Sequence, residues 1–446
     1  MSDSIEPAEL AGAVPQAPVK ATPAWLKTRL AAMMFLQYFV QGCYLPIISV
    51  YLKESLGFSG KQLGYVGSAL AVGPLMTPFF IGQLVDRKYS TQHVLAVCHA
   101  LGGIIMLLLF RERAFVPVLI LGILYSVLYV PSMMLTNSLA FHHLVDSRRE
   151  FPMVRLWGTI GFVAPAWLVE FVFLKGLTGE SLNQARGVAL AAAGIGGLAM
   201  ALYSLLMLPD TPPAKDVKEA NRFAPAIAAN LVRHRSVLVL VVISFFAAIV
   251  HKFHFVANGP FLTSLLRAGG EEGAWEASIS SLGQIAEVGV MAGLAWLVSR
   301  LGFRLVITLG LAAYAGRCLM FVWADQVSSQ FGLAMTIACL GQAYHGLCFS
   351  CFMAASFMFL DRSTPSHVRG TVQNLYGTFV LGLGFLAGGV VAGEVMEYFT
   401  ESGTGSIKFT GVWLFAATLG AVCSVAFFVA FPKGEPEQLG VDRAEA

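Results

Sequence analysis

The sequence predicts an all-α polytopic membrane protein with twelve transmembrane helices in two six-helix bundles. Apolar residues make up 57% of its 446 residues and charged residues only 12%, which is far from the composition of a soluble domain. Apolar runs of about 20 residues, the length that spans a bilayer, recur along almost the whole chain. The longest polar stretch between two such runs lies near the middle of the chain, with six runs before it and six after it.

The apolar runs define the predicted spans. Several runs are longer than one straight crossing needs, which predicts tilted helices or helical extensions beyond the bilayer. The predicted spans are residues 28–52, 62–84, 90–110, 115–140, 152–174, 187–208, 236–266, 275–299, 303–324, 329–360, 370–396 and 410–432.

The polar segments give the domain organisation. The first residues carry acids and no apolar core, so we expect a cytoplasmic tail and not a cleavable signal peptide. In the central loop, the apolar spacing from Arg222 to Arg235 predicts a helix that lies on the membrane surface. The predicted units are the N-terminal tail 1–27, the first bundle 28–208, the central cytoplasmic loop 209–235, the second bundle 236–432 and the C-terminal tail 433–446.

Loop charges predict the orientation of the chain. With both termini in the cytoplasm, 18 Lys and Arg residues lie in or beside the inner loops and tails, and 8 lie in the outer loops. The positive-inside rule therefore places both termini in the cytoplasm. This topology explains the net charge of +3, so the charge does not predict a nucleic-acid partner.

Arg155 is a permanent charge inside an apolar predicted span. A charge at bilayer depth is costly, so it normally faces a protein interior or a watery cavity and marks a binding path. Arg155, Thr159 and Phe162 have the spacing i, i+4, i+7 and share one helical face. A guanidinium and a hydroxyl bind sugar hydroxyls or base carbonyls, and a phenyl ring offers a stacking surface.

Two other predicted spans repeat this spacing. Gln37, Gln41 and Tyr44 share a face in the first span, and Gln284 and Glu287 share one in the eighth, where Ser280 precedes them by one turn. A cavity of amides, a hydroxyl, one Arg, one Glu and aromatic rings suits a neutral, flat ring that carries a polyol. For Gln37 and Gln41, hydrogen bonding between helices is an equal alternative to substrate contact. Arg155 and Glu287 could instead form a salt bridge that only holds the halves together.

Two patterns resemble the major facilitator superfamily. The segment GQLVDRK at residues 82–88 is similar to the superfamily's loop signature after the second span, and RLWGT at 155–159 has an echo in NLYGT at 374–378, about half a chain later. The resemblance implies a gate locked by loop charges, with Gly82, Asp86 and Arg87 as gating residues. Arg317, in the ninth span, is predicted to be a structural or gating charge.

Within that superfamily the chain resembles the bacterial nucleoside:proton symporters, most specifically in FPxxRxWGTIGF at residues 151–162 and QIxE at 284–287. The resemblance implies transport of nucleosides through a bacterial inner membrane by alternating access and proton symport. It adds Phe349 to the expected substrate contacts. We expect a monomer in the lipid bilayer whose partners are a nucleoside and protons, with no cofactor, no metal and no enzymatic activity.

Proton coupling is where the chain departs from that family. Ser350 stands where relatives carry an acid in the tenth span, and Lys252 lies where they have uncharged polar residues. Glu287 is then the first candidate for the proton carrier, and the alternatives are His251, His254 and His345. Uncoupled diffusion remains open.

A second reading is transport of another small solute, such as a sugar or an aromatic carboxylate. Lys252 together with Arg155 favours an anion in that reading. A membrane-embedded enzyme is disfavoured because we find no H-E-x-x-H, G-x-S-x-G or Gly-rich phosphate motif. A sensor that binds solute without moving it is disfavoured by the lack of a large soluble signalling domain.

Overall fold

The structure is a computed structural model that describes residues 21–77, 89–212, 233–365 and 368–434. Its helices are long and apolar, and ten of them meet the length and composition of a membrane span. The helices are α1 (Ala24–Ser55), α2 (Gly60–Ala69), α3 (Thr91–Arg111), α4 (Phe115–His143), α5 (Arg149–Leu174), α6 (Gly179–Leu206), α7 (Arg235–Ala268), α8 and α9 (together Glu276–Gln326), α10 (Phe331–Ser363), α11 (Arg369–Tyr398) and α12 (Phe409–Ala430).

The helical segment Glu276–Gln326, 51 residues long, contains two of the predicted spans and is broken between them. Gly302 interrupts it with φ 74° and ψ 164°, a conformation that glycine adopts without the strain of a side chain. The break falls between the predicted spans 275–299 and 303–324, so α8 and α9 are separate crossings. Because the second span, predicted at 62–84, is described only through residue 77, the count of twelve stays a prediction.

The helices form two bundles, as the sequence predicts. In the first, α1 packs on α5 and α6, and α3 packs on α4 and α6. In the second, α10 and α12 pack on the α8–α9 rod, and α7 packs on α11 and α12. Most of the predicted loop helix from Arg222 to Arg235 lies outside the described residues, and α7 begins at Arg235.

The main contact between the bundles is that of α2 against α11, and smaller contacts join α1 to α7 and α5 to α8. Glycines allow the first pair to approach closely. A Cβ added at Gly393 would lie 2.8 Å from the Cα of Gly64 and 2.9 Å from the carbonyl oxygen of Gly60. Small residues at such crossings let helix backbones pack directly on each other in a membrane.

The two ends of the molecule differ. We call the end at which α1 begins and α12 ends the terminal end, and the opposite one the far end. At the terminal end, Thr22 and Lys27 bind Glu150, and Gln92 donates to Asp210 at 2.6 Å, all within the first bundle. Among the described residues, the hydrogen bonds and ion pairs that join the two bundles lie at mid-depth or at the far end.

Candidate functional site

A cavity lies at mid-depth between the two bundles. Phe162 of α5 faces Ser280 and Gln284 of α8 across it, and His254 and Asn258 of α7 complete its polar wall. Its volume is about 420 Å³ including the open mouth. The structure thus brings Phe162 and Gln284, two of the residues singled out in the sequence, to one cavity, which we call the central cleft.

Arg155 lies two turns before Phe162 on the same face of α5. Its guanidinium carbon is 4.2 Å from the ring centroid of Tyr38, which is close enough for a cation–π interaction. Gly158 makes this stacking possible, because a Cβ there would lie 2.6 Å from Arg155 Nη1 and 2.8 Å from Tyr38 Cδ2. Arg155 and Thr159 are half-buried, so both side chains keep access to the space between the bundles.

The charges of Arg155 and Glu287 face each other across the two bundles. The two charges are close enough to interact electrostatically, but no ion pair within 4.0 Å joins the two side chains. The side chain of Glu287 is 22% exposed. The alternative given in the sequence analysis, a salt bridge between Arg155 and Glu287, is therefore not formed in this conformation.

Glu287 is connected to a buried cation through one histidine. Arg317 is fully buried, and its Nη1 donates to Nδ1 of His345 at 3.1 Å. The other side of the same ring, Nε2, lies 3.3 Å from the Gln284 amide and 3.9 Å from Glu287 Oε2. Because Arg317 holds one ring nitrogen of His345, the opposite nitrogen is directed towards the cleft.

His251 and His254, the other two histidines singled out, lie beside this chain of contacts. His251 Nδ1 bonds to the hydroxyl of Tyr314 at 2.8 Å, and its ring stacks on Phe385. The His254 ring stacks on His345 with centroids 5.0 Å apart and lines the central cleft. Both rings are buried, and both lie near Arg317.

Three of the remaining candidates differ in their surroundings. Gln37 is fully buried, where its amide donates to Ser132 at 2.9 Å and accepts from His99 at 2.8 Å. These bonds match the helix–helix alternative given for Gln37. Gln41 is half-buried. Phe349 is half-buried and stacks on His345 at 6.5 Å, near Glu287.

Tyr44 is placed away from the cleft. It is buried, it packs edge-to-face on Tyr125 and it lines a second cavity next to the central cleft. The face that Gln37, Gln41 and Tyr44 share on the helix therefore does not put all three into one cavity with Gln284. The reason is that the Tyr44 ring packs on Tyr125 of α4, whereas the next residue of α1, Leu45, lines the central cleft.

Sequence reasoning missed a polar chain on α7 and α10. Gln342 donates to Asn258 at 2.7 Å, and Asn258 donates to Ser280 at 3.0 Å. Asn258 lies one turn after His254 on α7, so an i, i+4 search through the predicted seventh span could have found it. Gln342 and His345, one turn apart on α10, give the same signal.

Buried ion contacts close the far end between the bundles. Arg186 of the first bundle donates to Glu276 of the second at 2.8 Å, and both side chains are only 2% exposed. Thr263 donates to the same carboxylate at 2.7 Å. Glu170 of α5 accepts hydrogen bonds from the amides of Ala277 and Ser278, which makes it a cap for the first turn of α8. We call these residues the far-end lock.

Two further sequence expectations concern gates and metals. Gly82, Asp86 and Arg87 lie outside the described residues, so their gating role stays a prediction. Within the part of the chain that the structure describes, no group of three or more His, Cys, Asp or Glu side chains could hold a metal ion. Cys348 and Cys351 are buried free thiols.

Comparison with known proteins decides the family. The model for the nucleoside H⁺ symporter family matches residues 25–435, which is nearly the whole chain. The chain belongs to the nucleoside H⁺ symporter family. Members of this family are membrane transporters and not enzymes.

The curated relatives align with this chain over almost its whole length. The chain is 28% identical over 416 residues to YegT of Escherichia coli (strain K12), with 92% of this chain and 94% of YegT covered. It is 25% identical to the nucleoside permease NupG of Escherichia coli (strain K12), over 91% of this chain and 96% of NupG. The xanthosine permease of the same strain is 24% identical, over 92% and 97% of the two chains.

Solved structures agree on the fold. The crystal structure of the nucleoside transporter NupG matches with a TM-score of 0.80 at 23% identity. The match covers 92% of this chain and 100% of the NupG chain. The D-xylose–proton symporter has a TM-score of 0.68 at 12% identity, over 93% and 99% of the chains. At these identities the likeness shows that this nucleoside H⁺ symporter shares the fold of those transporters.

Proposed function

We propose that this protein carries nucleosides across a bacterial inner membrane by alternating access and proton symport. The observation that carries the proposal is a basic group on the first bundle, Arg155, and an acid on the second, Glu287, which are not ion-paired with each other and stand one or two helical turns from Phe162 and Gln284 in the lining of the central cleft. Relatives named as nucleoside and xanthosine permeases support the choice of solute. Cytoplasmic termini, a monomeric state and the domain bounds 28–208 and 236–432 belong to the same proposal.

The chemistry of the cleft matches the parts of a nucleoside. The Arg155 guanidinium and the Glu287 carboxylate are a donor and an acceptor for ribose hydroxyls or for the polar edge of a base. The Phe162 ring provides a face on which a base stacks. The amides of Gln284 and Asn258 each offer both a donor and an acceptor, which suits bases of either class.

Glu287 is the proton carrier in this proposal. His345 is a weaker candidate, because a second ring proton on Nδ1 would face the Arg317 donor at 3.1 Å. His251 and His254 lie beside the same cation. Glu287 instead has a partly exposed carboxylate, with Arg155 across the cleft and His345 behind it. A change in the distance between Arg155 and Glu287 during alternating access would switch the proton affinity of the carboxylate.

With both termini in the cytoplasm, the far end would face the periplasm, and the conformation described here would be closed on that side. The far-end lock then has to break before solute enters from outside. Gly82, Asp86 and Arg87 would form the corresponding gate at the terminal end.

Uptake by cells that lack their own nucleoside permeases tests the choice of solute. Labelled uridine and adenosine should enter by a saturable route, and unlabelled nucleosides should compete better than free bases, sugars or carboxylates. A second candidate, an anionic solute, is favoured by one observation: Lys252 is buried without a carboxylate partner among the described residues. Competition by carboxylates and not by nucleosides would replace the proposal with that candidate.

A further inference from the structure

A second cavity lies beside the central cleft, and the proposed transport cycle does not use it. Its volume is about 750 Å³ when the open space at its mouth is included. It shares Leu45, Ser49 and Phe255 with the central cleft, and Arg155 and Glu287 line neither of the two cavities. We call this cavity the side chamber.

The walls of the side chamber are almost entirely apolar. Aliphatic side chains of α1 to α4 and α6 form most of its surface, together with the rings of Tyr44, Tyr51 and Tyr125. A polyol such as ribose would lose its hydrogen bonds to water there without replacement. The chamber therefore suits an apolar aliphatic or aromatic body.

One charge lines the chamber. Lys252 of α7 is 4% exposed, and its Nζ lies 5.5 Å from the ring centroid of Phe255 and 5.4 Å from that of Phe385. In the part of the chain that the structure describes, no carboxylate lies within ion-pair distance of Nζ and no hydrogen bond satisfies it. A buried cation without an anion is costly, so an anion placed in the chamber would be bound strongly.

We propose that the side chamber is a binding site for an amphipathic monoanion, an aromatic or aliphatic carboxylic acid whose carboxylate pairs with Lys252. The acid is either a soluble compound or a fatty acid from the membrane, because the two share this chemistry. The site is distinct from the nucleoside site, and the occupant is a ligand and not the transported solute.

Because of the position of the chamber, binding of the ligand affects transport. Lys252, Phe255 and Val256 belong to the second bundle, whereas the rest of the wall belongs to the first. A bound acid therefore joins the two bundles and stabilises the conformation that is closed at the far end. This effect on transport rests on the proposed function. If the protein carries nucleosides, the acid lowers the maximal rate of nucleoside uptake with little change in KM.

Binding to the purified full-length protein tests the site without any transport. The probes are 4-phenylbutyrate and its neutral counterpart 4-phenylbutanol, measured by titration calorimetry in nanodiscs. We expect the acid to bind at least tenfold more tightly than the alcohol. Lys252→Met, which keeps the length of the side chain and removes the charge, should weaken binding of the acid at least tenfold. The matched control Lys175→Met, at an exposed lysine outside the chamber, should bind as the wild type does.

A second variant keeps the test independent of the folding of Lys252→Met. Gly122 lines the chamber, and a Cβ there meets only Ala69 Cβ at 3.5 Å, so Gly122→Leu fills the cavity while Lys252 stays in place. It should also abolish binding of the acid. Equal binding of acid and alcohol, or wild-type binding by both variants, would overturn the proposal.

A competition experiment distinguishes the two sources of the acid. Displacement of labelled 4-phenylbutyrate by oleate assigns the site to a membrane fatty acid, and failure of oleate to displace it assigns the site to a soluble acid. Both results keep the carboxylate pairing with Lys252. Failure of nucleoside uptake would contradict the proposed function but would leave this binding result unchanged.

Discussion

Arg317 Nη1 lies 3.1 Å from Nδ1 of His345, inside the second bundle and behind the wall of the central cleft. A guanidinium only donates hydrogen bonds, so Nδ1 of His345 must accept, and neutral His345 carries its hydrogen on Nε2. That hydrogen faces Glu287, whose Oε2 lies 3.9 Å from Nε2. A buried structural cation thus fixes which hydrogen-bond donor the cleft presents beside its acid.

This arrangement predicts the effect of removing the ring of His345. His345→Leu takes away the acceptor of Arg317 and the donor beside Glu287, whereas His345→Asn keeps a polar group that can reach one of them. We expect His345→Leu to lose uptake and thermal stability together, because a buried charge loses its partner. His345→Asn should keep more of both. Uptake assays and melting of the purified variants measure the two effects, and wild-type behaviour of His345→Leu would contradict the relationship.

Arg155 is predicted to bind the solute directly. Arg155→Ala should reduce nucleoside uptake roughly 10- to 100-fold, since loss of a charged hydrogen-bond partner costs about 2–3 kcal/mol. Arg155→Lys keeps the positive charge but lacks the planar set of guanidinium donors, so its uptake should lie between that of the wild type and that of Arg155→Ala. Binding of labelled uridine to purified protein measures the loss. Unchanged affinity in Arg155→Ala would remove this residue from the site.

Glu287→Gln separates binding from proton coupling. The amide keeps the shape of the side chain and cannot release a proton, so net accumulation should stop. Exchange of internal for external nucleoside needs no change in protonation and should continue. Counterflow in proteoliposomes measures exchange, and a pH gradient drives accumulation. Accumulation driven by the pH gradient in this variant would mean that another group carries the proton.

The buried pair of Arg186 and Glu276 should contribute to the stability of the far-end lock. Arg186→Ala leaves a buried carboxylate without its partner, which costs about 3–5 kcal/mol in such sites. Lys408→Ala, which breaks an exposed pair with Glu401, is the control and should leave the melting temperature almost unchanged. Thermal melting of both variants in detergent makes the comparison. Equal melting temperatures would show that the lock adds no stability to this conformation.

The glycine contact of α2 and α11 should control closure of the same end. Gly393→Ala places a methyl group 2.8 Å from Gly64 Cα, so the helices must separate and the far end should open more often. Gly370→Ala, on the same helix, meets nothing within 4 Å and is the control. Ser281, buried and bonded to Trp167, is the reporter position when replaced by cysteine. Its labelling by an impermeant maleimide should rise several-fold with Gly393→Ala and not with Gly370→Ala.

The fold was predictable because hydropathy is a local property of the sequence. The span predicted at 236–266 is the helix Arg235–Ala268, and the one at 329–360 is Phe331–Ser363. The boundary between the eighth and ninth predicted spans, near residue 300, appeared in the sequence as a short polar interval. In the structure it is a break at Gly302 with helix on either side.

The site was predictable only in part. Helical spacing put Phe162 and Gln284 on faces that do line one cavity. The same spacing failed for Tyr44, because its ring packs on Tyr125 of α4 and lines the side chamber. The pairing of Arg186 with Glu276 joins residues 90 positions apart, and no local pattern in a single sequence reports such a contact.

Accumulation of labelled uridine in proteoliposomes, driven only by an imposed pH gradient, tests the central claim most directly. The account predicts uptake above the equilibrium level with the wild type, collapse of that excess when a protonophore is added, and no excess with Glu287→Gln. Uptake that stops at equilibrium, with or without the gradient, would contradict proton symport and identify an uncoupled carrier.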